Sequence, residues 1–198
     1  MLCRIVGVET HRMPAPHSGL TRLAVAFRPR SGITAILPRQ RQMNEVATMA
    51  NTYSQLFYHI VFSTKERRNF IHQEIEERVW DYIGGIARKH DVTSLRVGGI
   101  DNHVHGLVMA KPTVPPCKIP MWLKGGSSKW IHDEFSNLSV FGWQDGYGIF
   151  SVSKSQVPDV IRYIDDQREH HASQTFEDEY VSLLRLHGIE YDMRYVFD

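Results

Sequence analysis

Cysteine is scarce: Cys3 and Cys117 are the only two in 198 residues. Two thiols give neither a disulfide framework nor a thiolate metal site, and such sparing use fits a reducing cytoplasm. No run approaches the ~18 consecutive apolar residues that a membrane span needs, which argues against an integral membrane protein. Residues 1–48 lack lysine altogether and hold only Glu9 and Glu45 as acids, against seven arginines (Arg4, Arg12, Arg22, Arg28, Arg30, Arg39, Arg41). That segment is therefore +5 in a chain of net charge +1, and the remainder is −4. Any nucleic acid bound by the remainder must be held by local patches and not by bulk charge.

Pro14, Pro16, Pro29 and Pro38 interrupt every long periodic pattern in residues 1–48, so this stretch reads as a poorly structured basic extension. It can be a basic arm for nucleic acid. It can be a targeting segment, being arginine-rich and acid-poor, although it lacks a continuous apolar core followed by a cleavage site. The favoured reading is translated upstream sequence, with the working protein starting near Met49, because composition changes abruptly at "MANTYSQ". The division expected is thus 1–48 as extension and 49–198 as the folded domain.

Composition over the whole chain is that of an ordinary globular protein, 42% hydrophobic and 23% charged. "YSQLFYHIVFST" (53–64) is aromatic and β-branched and predicts a strand, followed by the basic turn "KERR". Residues 73–89 predict a helix: Ile75, Val79, Ile83 and Ile86 recur at helical spacing, with acids early and Arg88–Lys89 late. "TSLRVGGI" (93–100) and "HVHGLVMA" (103–110) predict two further strands. Residues 114–135 predict a helix entered through prolines and weakened at Gly125–Gly126, with Pro120 awkwardly inside it. "WQDGYGIFSVS" (143–153) carries an Asp-Gly turn and a short strand. Residues 155–171 are helical again, with Ser155 as N-cap and Pro158 in the first turn. In 175–188, Thr175 and Asp178 resemble a capping box, Phe176, Tyr180, Leu183 and Leu184 form a stripe, and Gly188 is the stop. The order β-α-β-β-α-β-α-α, with hairpin-length links among the strands, predicts an α+β fold in which helices cover an antiparallel sheet.

Two motifs carry chemistry. In "GGIDNHVHGLVMA" (98–110) His103 and His105 are two apart on a strand, so both rings share one face while Val104 takes the other. Side-by-side neutral imidazoles make half of a divalent-metal site. In "QVPDVIRYIDDQREHH" the core stripe is Val157, Val160, Ile161 and Ile164. At about 100° per residue, Tyr163 lies roughly 110° from the centre of that stripe, and Gln167 shares its face one turn on. A hard cation such as Mg²⁺ or Mn²⁺ accepts nitrogen and amide oxygen, so Gln167 can complete a His-His-Gln set. A phenol beside such a cation is a candidate nucleophile toward a phosphodiester, once a base or the cation helps remove its proton. Exchange in place of hydrolysis makes that step reversible without ATP.

"HVH", the "YIDDQ" helix, "LKGGSSKWI", "WQDGYGIFSVS" and "HGIEYDMRY" together resemble the single-tyrosine HUH transposases, small enzymes of the insertion sequence two hundred type. The resemblance runs from about Tyr53 to the C-terminus. It implies a ferredoxin-like HUH domain with a C-terminal helix that bears the nucleophile. His103 and His105 would be metal ligands, Gln167 the third ligand and Tyr163 the nucleophile. It further implies cleavage and rejoining of single-stranded DNA at hairpin-flanked ends through a 5′-phosphotyrosine. An obligate homodimer is implied too, in which the tyrosine helix of one subunit can complete the histidine site of the other. The setting expected is the cytoplasm of a bacterium or archaeon, with nucleoid association during action.

Other readings are a domesticated HUH enzyme that processes chromosomal palindromes, and a non-catalytic hairpin-binding repressor. Asn102 stands where such proteins commonly carry an aspartate; it can still accept a hydrogen bond but lacks the charge. Lys65, Arg67, Arg68, Lys124, Lys129 and Lys154 are candidates for phosphate contacts, with Arg88 and Lys89 beside them. Trp122, Trp130 and Trp143 could stack on bases, but core packing is the favoured role for each. His59, His170 and His171 are expected to pack or to face solvent.

Overall fold

A computed structural model describes residues 53–197; the extension expected over 1–48 lies outside them. The run "LFYHIVFS" forms β1 (Leu56–Ser63), followed by α1 (Gln73–Lys89), β2 (Thr93–Ile100), β3 (His103–Ala110), α2 (Lys118–Glu134) and β4 (Gly148–Val152). Among the described residues these strands make one sheet in the order β2-β3-β1-β4, with every neighbouring pair antiparallel. This is the expected ferredoxin-like β-α-β-β-α-β order. Three helices complete the chain: α3 (Val157–Asp165), the single turn α4 (Gln167–His170) and α5 (Phe176–Leu186). No helix among the described residues is long and apolar enough to cross a membrane.

Period-two alternation divides the central strands between two layers. Ile60, Phe62, Val104 and Val108 point to one side and pack with Val79, Ile83, Ile119, Leu123 and Ile131 of α1 and α2. Residues of opposite parity meet the C-terminal helices. Phe57 and Leu107 pack with Val157 and Ile164 of α3, and Val61 and Phe150 pack with Phe176, Leu183 and Leu184 of α5. A sheet buried on both faces explains why β3 reads as a nearly continuous apolar run with two histidines in it.

Local chemistry accounts for part of the helix pattern. Pro120 sits at the third position of α2, where its missing N–H has no intrahelical partner to lose. The helix also runs unbroken through Gly125–Gly126, because Gly126 faces α1: a Cβ there would stand 2.9 Å from Ile86 Cδ1. The expected cap at Ser155 is not formed. Residues 154–156 make a 3-10 turn, and α3 begins at Val157 without a side-chain cap. The expected single helix over 155–171 is also divided, at Asp166, whose φ of −89° and ψ of 13° separate α3 from α4. Thr175 does cap α5, accepting from Asp178 N at 3.2 Å, and Gly188 ends it with φ +63°.

Gly98 of β2 fixes how closely α3 approaches the sheet. A Cβ at this position would lie 2.8 Å from Ile164 Cγ2 and 3.1 Å from the Ile164 backbone oxygen. A backbone atom cannot swing away, so Gly98→Ala should push α3 outward at a cost of about 1–3 kcal/mol. Ile164 adjoins Tyr163, so the same shift would displace that phenol. Urea unfolding of the variant beside the parent checks the first effect; an unchanged midpoint would remove the close-approach role.

Candidate active site

His103 and His105 project from β3 to the side covered by the C-terminal helices, and both are completely buried. Buried imidazoles need partners. For His103 these come from three elements: Nδ1 meets Asn102 Oδ1 at 2.8 Å, and Nε2 faces Gln167 Oε1 at 2.9 Å and Glu179 Oε2 at 3.5 Å. His105 Nδ1 pairs with His59 Nε2 of β1 at 3.0 Å, and these two rings stack with centroids 5.1 Å apart. His105 Nε2 is 3.3 Å from Glu179 Oε2 but finds no hydrogen-bond partner among the described residues.

Tyr163 arrives from α3. Its ring meets His105 edge-on with centroids 5.7 Å apart, and its hydroxyl donates to Glu179 Oε1. Gln167 Nε2 donates to the same Oε1 at 2.9 Å. The break at Asp166 therefore does not separate the expected pair; it turns Gln167 inward, where it is buried. His171 approaches from the far side, with Nε2 3.2 Å from Glu179 Oε2 and Nδ1 2.7 Å from Gln174 O. Both neighbours of that ring are acceptors, so both of its nitrogens must carry protons.

The electrostatics derive from this packing. Burial strips water from the charged forms of His59 and His103, and the neighbouring His105 opposes charge on either, so each falls from 6.5 to about 3. Burial alone would raise the Glu179 carboxyl, but His105, His171 and His103 around it outweigh burial and hold it well below the ordinary carboxylate range. For His171, burial works downward, yet the hydrogen bond and charge of Glu179 prevail and raise it. Burial first, then the Glu179 charge beside it, raises the Tyr163 phenol.

These shifts predict a pH dependence for the metal-free protein. His59 and His103 are depressed on folding, so their contribution is complete above the unfolded value near 6.5 and is lost as pH falls toward about 3. Each should remove about 1.4 kcal/mol per pH unit across that window. Urea midpoints at pH 7 and pH 5 test this, and equal midpoints would contradict the buried neutral pair.

The donor set fits a divalent cation. With Nδ1 donating to Asn102, neutral His103 presents a bare Nε2 to two oxygens, and His105 Nε2 is left without a hydrogen bond. Glu179 Oε2 lies within 3.5 Å of both Nε2 atoms and Gln167 Oε1 within 2.9 Å of that of His103, so nitrogen and oxygen donors of the kind a divalent cation accepts stand together here. His103, His171 and Glu179 have candidate ligand atoms that all lie within 4.8 Å of one another, but a His171 protonated on both nitrogens offers none, which leaves His103 and Glu179 of that group.

The sequence model for the family described as "Transposase IS200 like" matches residues 52–167, more than half of the chain. The chain belongs to the IS200-like transposase family. It is 26% identical over 128 residues to the transposase for insertion sequence element IS200 of Salmonella typhimurium, covering 61% of this chain and 84% of that one. It is 25% identical over 120 residues to the ISDra2 transposase TnpA of Deinococcus radiodurans, covering 58% and 86% of the two chains. A solved Deinococcus radiodurans protein described as a transposase has a TM-score of 0.51 at 23% identity, covering 60% of this chain and 95% of that one; this likeness bears on the fold alone.

As an IS200-like transposase, the chain keeps His103, His105, Tyr163 and Gln167 inside the matched segment, whereas His170, His171 and Glu179 lie beyond it. The other candidate residues have particular surroundings in the fold. His59 and His171 neither merely pack nor face solvent: they contact His105 and Glu179, and His170 Nε2 comes within 3.8 Å of Glu179 Oε1. Lys124 donates to the carbonyls of Gln144, Asp145 and Gly146, so its ammonium holds a loop. Arg67 pairs with Glu177 at 2.6 Å and lies over the Phe197 ring, tying the C-terminal segment down. Arg68 pairs with Glu66, and Lys129 with Asp133 at 2.7 Å, both at exposed positions. Lys65 and Lys154 are exposed; the Lys154 ammonium stands 5.4 Å from the Phe57 ring centre. Trp143 is a core residue whose Nε1 donates to Ser127 Oγ at 3.0 Å, while Trp122 stacks on His90 and Trp130 on Tyr82.

Glu179 was not anticipated. A signal for it exists in the sequence: it falls three residues after Phe176 and four before Leu183, on the apolar stripe of α5, where an unpaired acid would be costly.

Proposed function

We propose that this transposase cleaves and rejoins single-stranded DNA at hairpin-flanked ends by tyrosine transesterification. One observation carries the reading: the Tyr163 hydroxyl and Gln167, from α3 and α4, share Glu179 Oε1, while Glu179 Oε2 lies 3.5 and 3.3 Å from Nε2 of His103 and His105 on β3. His103, His105 and Gln167 would hold a divalent cation, Mg²⁺ or Mn²⁺. When bound, that cation polarises a phosphate oxygen and draws off charge that develops on the phosphoryl group.

The remaining steps belong to side chains of this chain. Tyr163 Oη attacks the phosphorus in line, its bond to phosphorus forms, and the bond to the 3′-oxygen of the preceding nucleotide breaks. The phenol proton is released and the leaving oxygen takes one from solvent, leaving a 3′-hydroxyl and a 5′-phosphotyrosine. Return attack by a 3′-hydroxyl reverses the step and rejoins DNA. Burial beside a carboxylate keeps the phenol protonated at rest, so proton loss must accompany attack. Asn102 and His59 would hold the two ligand rings through their Nδ1 atoms.

Lys65 and Lys154 remain suited to phosphate contacts, and a homodimer would allow tyrosine helices to be exchanged between subunits. Within one chain Tyr163 already reaches the histidines, so each site can be complete before any exchange. Incubating the full chain with a labelled hairpin oligonucleotide and Mn²⁺ should yield a protein–DNA adduct that survives denaturation. A labelled strand that is cut with no adduct would point to hydrolysis instead.

A further inference from the structure

Glu179 has two faces that do different things. Its Oε2 lies 3.3 Å from His105 Nε2 and 3.5 Å from His103 Nε2, the two nitrogens assigned to the cation. Its Oε1 accepts from the Tyr163 hydroxyl and from Gln167 Nε2. The side chain is 1% exposed, so nothing but this cluster stabilises its charge. We propose that Glu179 is a fourth protein ligand of the cation and, through its other oxygen, the tether that keeps the Tyr163 hydroxyl beside it. The inference rests on the transesterase reading and adds to it a carboxylate from α5, outside the family-matched segment 52–167.

The chemistry favours this assignment over a purely structural carboxylate. Two imidazoles and an amide give a cation no formal charge to bind, whereas a carboxylate supplies one and is a preferred oxygen donor for Mg²⁺ and Mn²⁺. His171 and Gln167 already fix the carboxylate, so binding requires little rearrangement of α5. Glu179 is in this sense a metal ligand and, toward Tyr163, a positioning residue. His171 serves as the partner that holds Oε2 in place.

Two experiments on the full chain test the proposal. Calorimetric titration with Mn²⁺ should show Glu179→Gln binding at least about tenfold more weakly than the parent, with an unchanged far-ultraviolet spectrum. The amide keeps the shape and an oxygen for Tyr163, so a merely structural role predicts parental affinity, and that result overturns the inference. His103→Ala is the control for the broader reading: lost binding there with parental binding in Glu179→Gln sinks the fourth ligand alone, and parental binding in both sinks the metal site itself. If Glu179→Gln does not fold, crystals of the parent soaked in Mn²⁺ decide. An anomalous peak bonded to a Glu179 oxygen supports the proposal; a peak on His103, His105 and Gln167 with Glu179 turned away refutes it.

Discussion

Tyr163→Phe should abolish the denaturation-resistant DNA adduct while leaving hairpin binding within a few-fold of the parent. Phenylalanine keeps the ring that packs edge-on against His105 and His59 and removes only the atom that would attack phosphorus. Adduct formation should fall by at least about 10³-fold, which corresponds to more than about 4 kcal/mol of barrier. The fold should survive. Glu179 loses one hydrogen bond but keeps those from Gln167 and His171, and a single lost hydrogen bond costs on the order of 1 kcal/mol. A Phe variant that fails to bind the hairpin would mean that the hydroxyl contributes to recognition and not only to chemistry.

Removing the cation, or either imidazole that would hold it, should have the next largest effect. Chelator should stop cleavage, and Mn²⁺ in excess should restore it. His103→Ala or His105→Ala should cut the rate at least about 10²-fold, the scale of losing a principal electrostatic stabiliser of the transition state. The two variants should differ in stability. His105→Ala leaves His59 without its 3.0 Å partner inside the core, whereas His103→Ala strands Asn102 at a half-buried position. The first should therefore unfold at lower urea than the second. Cleavage that persists in chelator would remove the role given to the paired histidines, whatever the stabilities.

Most of the scaffold was legible because its signals are local. Val79, Ile83 and Ile86 mark the inner face of α1, and strict alternation places His103, His105 and Leu107 on one side of β3. Tyr163 and Gln167 were legible by their departure from the core stripe of α3. What escaped depends on residues distant in sequence. His59 becomes a partner of His105 only because β1 pairs with β3, a register no window of sequence displays. The break at Asp166 has no proline or glycine to announce it. Lys124 looked like a surface cation because the loop carbonyls that occupy it lie about twenty residues away. Glu179 sat in plain view on the stripe of α5, and its burial is intelligible only once its polar partners surround it.

If Tyr163 attacks DNA as proposed, it becomes covalently joined to the 5′ end of the cleaved strand, and the joined residue can be identified. The full chain, Mn²⁺ and a hairpin oligonucleotide would be reacted, digested with protease and nuclease, and the modified peptide sequenced by mass spectrometry. A nucleotide phosphate attached to Tyr163 is expected in the peptide that spans α3. A nucleotide found on another residue, or cleaved DNA with no modified peptide, would contradict it.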